Sequence, residues 1–110
     1  MRGDCTGTAL VFSGRPDPEW PVSEDARKQL QAIWSELKPA SSGPPQAPPL
    51  GYRGCALRCA SGDEWQAYAG VVTYSAASGA VNRRSDPERS FERMLLSTAP
   101  RDSLPPGLAA

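Results

Sequence analysis

Three cysteines, Cys5, Cys55 and Cys59, are the side chains of this sequence best suited to chemistry by type, and there is no histidine. A thiolate can ligate a soft metal or act as a nucleophile, and each use demands partners at a defined spacing. Cys55 and Cys59 form a C-x-x-x-C rather than the C-x-x-C of zinc knuckles, and no imidazole is available to complete a mixed site. On a strand these two would share a face with Leu57 and lie about 13 Å apart, beyond the roughly 4.4–6.8 Å that a disulfide bridges. Both are therefore expected to be reduced, unpaired, poorly accessible thiols serving as small apolar residues. The competing expectation is a thiol-based metal carrier, with Cys5 brought in by a neighbouring strand.

Without histidine, neither a Ser-His-Asp nor a Cys-His arrangement can be assembled within this chain. Carboxylates come in two close pairs, Asp17 with Glu19 and Asp63 with Glu64. General acid–base work needs at least one of a pair buried enough to shift its pKa, and no sequence feature buries either. Ser13-Gly14-Arg15 offers one glycine where a phosphate loop has several. The chain is thus read as non-catalytic and without a cofactor.

The remaining candidate is "FSGRPDPEWP", Phe12 to Pro21, which follows a short apolar run. Gly14 permits an abrupt exit from a strand, and Arg15 and Asp17, each preceding a proline, are biased to extended backbone. Three prolines reduce the freedom of the unfolded chain, so the loop is held in one shape at low entropic cost. Ser13, Gly14, Arg15, Asp17, Glu19 and Trp20 are accordingly the expected binding residues, recognising a protein partner or an anionic ligand. Arg83 and Arg84 would join them if the start of the second helix lies nearby. A structural corner is the alternative, with Trp20 over the sheet edge and Arg15 paired to Asp17 or Glu19. A further alternative is a subunit whose loop completes the active site of a partner enzyme. Arg89 with Glu92, and Glu88 with Arg93, read as a solvated, self-paired helix face. Pro45-Gln46-Ala47-Pro48 is a P-x-x-P without a basic residue within three positions, and reads as linker.

The elements that must carry these residues are few. Thr6–Ser13 reads as a strand. Ser23 caps a helix with Glu24 and Asp25 in its first turn, and Leu30, Ile33, Trp34 and Leu37 form one apolar stripe until Pro39. Residues 39–49 hold five prolines and no charge, a stiff surface connection. Leu50–Cys59 and Glu64–Ser75 read as a hairpin about "ASGD". Asn82–Ser85 turns the chain, Asp86 caps and Pro87 opens a second helix with Phe91, Met94, Leu95 and Thr98 inward. The fold class is α+β in the order β-α-β-β-α. It is either a ferredoxin-like unit short of its last strand or a small antiparallel sheet with two helices on one face. Residues 1–100 form one domain, and 101–110 a disordered tail.

Composition sets the remaining bounds. Leu, Ile, Val and Phe number 17 of 110 residues, so the core is thin and a protein partner or second copy is expected to complete it. Twelve basic residues balance 12 acidic ones, which leaves no electrostatic footprint for nucleic acid. The chain has no apolar run of the length a membrane span or export signal requires, so the expected setting is the cytoplasm, away from membranes, with reduced thiols. Arg2–Asp4, an adhesion-type tripeptide, is too common by chance to change this.

Overall fold

The computed structural model describes residues 1, 3–11, 16–40, 52–100 and 103–104. Seven strands form a single sheet: β1 (Cys5–Ala9), β2 (Glu19–Val22), β3 (Lys38–Pro39), β4 (Cys55–Cys59), β5 (Glu64–Tyr68), β6 (Val71–Ser75) and β7 (Val81–Ser85). Two helices accompany them, α1 (Glu24–Glu36) and α2 (Ser90–Ser97). The sheet is antiparallel at every ladder, in the order β2-β1-β4-β5-β6-β7-β3. This is the α+β class expected, in its form with both helices on one face.

Register explains the face. Cys5 pairs with Cys59, Gly7 with Leu57 and Trp20, and Ala9 with Cys55, so one side of the sheet collects small and apolar residues. The same side continues through Trp65, Ala67, Val72 and Tyr74. Leu30 and Trp34 from α1 and Phe91, Leu95 and Leu96 from α2 close over it as one core cluster. Leu104, within the 101–110 stretch, also packs on that cluster.

The helices start where their caps dictate. The Ser23 hydroxyl accepts the Ala26 N–H at 3.2 Å, as the sequence indicates. Asp86 does cap α2: its two carboxylate oxygens accept the Ser90 and Phe91 N–H groups, both at 2.9 Å. The helix itself opens at Ser90 rather than Pro87, because Arg89 adopts a left-handed conformation with φ 56°.

Several boundaries differ from expectation. Glu64–Ser75 is two strands, folded back at Ala69-Gly70, where both residues have positive φ (52° and 84°). The Asn82–Ser85 turn is instead β7. Pro39, expected to begin the connection, pairs with Arg84 in β3; the remainder of that connection, 41–49, lies outside the described residues. Among the described residues no helix is long and apolar enough to cross a membrane.

Candidate functional site

The expected loop is the connection between β1 and β2, whose two ends are visible. Asp17 Oδ1 accepts the Val11 N–H at 2.9 Å. The Pro18 carbonyl accepts two donors, the Ala9 N–H at 3.2 Å and the Thr8 hydroxyl at 3.0 Å. Ser13, Gly14 and Arg15 lie outside the described residues. Glu19 opens β2, opposite Thr8, and is exposed.

Trp20 corrects one expectation. Its indole is 2% exposed and offers no face to a partner. It fills a notch above Gly7, where a Cβ would stand 2.7 Å from the ring, so the closest approach of β1 to the indole requires glycine. The indole N–H donates to the Thr98 hydroxyl at 2.7 Å, and that hydroxyl donates to the Leu95 carbonyl at 2.6 Å. A residue predicted to recognise thus ties the edge of the sheet to the end of α2.

Arg83 and Arg84 do not join this loop. They lie on β7, five strand positions from β2, which is about 24 Å at about 4.8 Å per strand. Arg84 donates from Nη1 to the Trp34 carbonyl at 2.7 Å and lays its guanidinium 4.2 Å above the Trp34 ring. Trp34 meets Tyr74 edge-on, and Tyr74 stacks on Trp65 with centroids 4.7 Å apart, so Arg84 terminates an aromatic row between α1 and the sheet. Arg83 points to the opposite face of β7, and its carbonyl accepts the Ala40 N–H.

The cysteine expectation is also corrected. Cys5 and Cys59 form a disulfide, with Cα atoms 4.0 Å apart. Within one strand Cys55 and Cys59 are indeed too far apart to pair; the partner of Cys59 is the residue opposite it on β1. Only Cys55 remains a thiol, and it is buried.

A buried polar cluster was not anticipated. Glu92, 5% exposed, accepts the Tyr52 hydroxyl at 2.6 Å, and its backbone carbonyl faces the Cys55 Sγ at 3.8 Å. Burial, then the neighbouring negative charge of Glu92, pushes the Cys55 thiol far above its ordinary pKa, against a smaller opposing hydrogen bond from Tyr52. Burial, followed by interactions with Cys55 and Glu92, likewise raises the Tyr52 phenol. Such a thiol stays protonated and inert, so the cluster serves as a polar tie between α2 and the start of β4. Glu92, Leu95 and Leu96 stand at i, i+3, i+4, a spacing that places Glu92 on the inward stripe. The self-paired helix face expected of it does not form: Arg93 instead donates to the Glu88 backbone carbonyl at 2.7 Å.

Comparison with known proteins gives no identification: no protein family, no curated protein and no solved structure matches this chain.

Proposed function

We propose that this protein is a non-catalytic binding module whose β1–β2 connection meets a protein partner or an anionic ligand. The observation that supports this is the anchoring of the connection at both ends. Asp17 holds the Val11 N–H, Pro18 takes two donors from β1, and Trp20 is locked into the core immediately beyond. A segment whose ends are fixed before binding loses less freedom when a partner arrives. Recognition is assigned to Arg15, whose planar fork of five donors suits a carboxylate or phosphate, and to Glu19, exposed at the start of β2. Asp17 is an anchor and Trp20 a core residue. Arg83 and Arg84 belong to a different part of the sheet.

The setting is tied to the disulfide. The cytoplasm keeps thiols reduced, whereas the Cys5–Cys59 bond favours an oxidising compartment, and we take the bonded form as the working one. Alkylation of the protein in intact native cells, followed by mass spectrometry, checks this: Cys5 and Cys59 should resist the reagent until reductant is added.

The functional test is capture from native lysate with immobilised protein, comparing the unaltered chain with Arg15→Ala by quantitative mass spectrometry. A stoichiometric partner that Arg15→Ala loses at least about tenfold, equivalent to about 1.4 kcal/mol, supports the assignment. Equal capture by both chains removes it.

A further inference from the structure

The free thiol and the disulfide meet on one strand. Cys55, Leu57 and Cys59 share the inward face of β4, and the register sets Cys59 against Cys5 and Cys55 against Ala9. An extended strand rises about 3.3 Å per residue, which keeps Cys55 about 13 Å from Cys59. A disulfide spans only about 4.4–6.8 Å between Cα atoms, so Cys55 cannot reach the bond while β4 is intact.

The fold also withholds the reactive form of the thiol. Exchange proceeds by attack of a thiolate on a disulfide sulfur. Cys55 is fully buried, and its register neighbours Ala9 on β1 and Ala67 on β5 do not titrate. The titratable groups against it are Glu92 of α2 and Tyr52, which are hydrogen-bonded to each other. Burial, then the Glu92 charge, keeps the thiol protonated. Cys5 and Cys59 are buried as well, which withdraws their bond from thiols in solution.

We infer that the three cysteines form a disulfide latch that trips when β4 opens. The Cys55 thiolate attacks Cys59 Sγ, so that the Cys55–Cys59 bond forms and the Cys5–Cys59 bond breaks. The electron pair leaves on Cys5 Sγ, which takes a proton from water. One disulfide and one thiol stand on each side, and no oxidant or reductant is consumed. Attack at Cys59 closes a separation of four residues, whereas attack at Cys5 would close one of 50. Loop-closure entropy favours the short ring by about tenfold or more. The new bond is incompatible with an extended β4, the strand between β1 and β5, and it leaves β1 unpinned. A return to lower pH, where Cys5 is protonated, then traps the chain outside its sheet.

The test starts from the oxidised, full-length protein, unfolded in urea without reductant at about pH 8.5, the ordinary thiol value. Acidification to about pH 6 stops exchange, N-ethylmaleimide labels the free thiol, and peptide mass spectrometry locates it. Cys5 should carry at least about ten times the label of Cys55 or Cys59. Unlabelled chain diluted from urea at the lower pH should fail to regain its near-ultraviolet circular dichroism. Two controls should regain it: Cys55→Ala taken through the same steps, and unaltered protein held at the lower pH throughout. The inference is overturned if Cys55 remains the labelled residue, if Cys59 is labelled as heavily as Cys5, or if the exchanged chain refolds as the controls do.

Discussion

Asp86 and Glu92 are both carboxylates withdrawn from solvent, and each is matched by donors. Asp86 takes two amides, so it is a cap. Glu92 takes one phenol, and its burial depends on that bond. Tyr52→Phe removes the donor and leaves a buried charge short of a partner. The expected loss is about 1.5–3 kcal/mol in a denaturant melt, the range for a hydrogen bond to a charged group. Glu92→Gln in the same background should recover part of it, because the desolvated charge is gone. The neighbouring thiol predicts an alkaline signature. Cys55 has its folded pKa raised, so its contribution is complete below the unfolded thiol value of about 8.5 and is lost as pH rises above it. Stability should fall by up to about 1.4 kcal/mol per pH unit beyond that point, and Cys55→Ala should remove this part of the decline. Tyr52 acts in the same direction at higher pH, partly screened by solvent.

Elements differ in how openly the sequence announces them. The Leu30, Ile33, Trp34 and Leu37 stripe, with Ser23 before it, specifies α1 by local rules, and the same rules find the Asp86 cap. The hairpin at Ala69-Gly70 escapes those rules. Its two-residue turn needs positive φ at both positions, and alanine gives no hint of a conformation usually taken by Asn or Gly. Ala69 therefore carries local strain. Ala69→Gly should stabilise the protein by about 0.5–1 kcal/mol, within the cost of a left-handed non-glycine residue. A melt with no gain would mean that the turn relaxes in solution. β7 is hidden for a different reason. Its inward positions are Asn82 and Arg84 rather than apolar residues, and Arg84 is accommodated by stacking on Trp34, a contact from a distant helix. β2 is concealed by Pro21, which an edge strand tolerates because no further strand needs its N–H. At the candidate site, the prolines around Asp17 are legible in the sequence, whereas the hydrogen bonds of Asp17 and Pro18 to the end of β1 are not. Neither is the burial of Trp20, which depends on the notch that Gly7 leaves one strand away.

At the scale of the whole molecule, the β1 half is joined to the rest by ladder bonds, by Trp20 and by the Cys5–Cys59 bond. That bond was illegible because it depends on strand order: β1 lies beside β4, which sets Cys5 opposite Cys59. It closes a sequence separation of 54 residues. Loop entropy of that length implies that Cys5→Ser with Cys59→Ser, or reduction, should cost on the order of 4 kcal/mol, read as a lower denaturation midpoint. Both sheet edges carry proline, Pro21 in β2 and Pro39 in β3, so neither edge offers a full row of donors to another strand. Strand addition at either edge is thereby disfavoured.

The central claim is that recognition and stability reside in different residues of one short connection. Measuring the dissociation constant for the captured partner and the denaturation midpoint on Arg15→Ala and Trp20→Ala tests it directly. Arg15→Ala should weaken binding by about 2 kcal/mol or more, roughly thirtyfold, with an unchanged midpoint. Trp20→Ala should lose about 3–5 kcal/mol of stability, while its folded fraction binds with the original affinity. The opposite order, with binding lost at Trp20→Ala and retained at Arg15→Ala, would contradict the account.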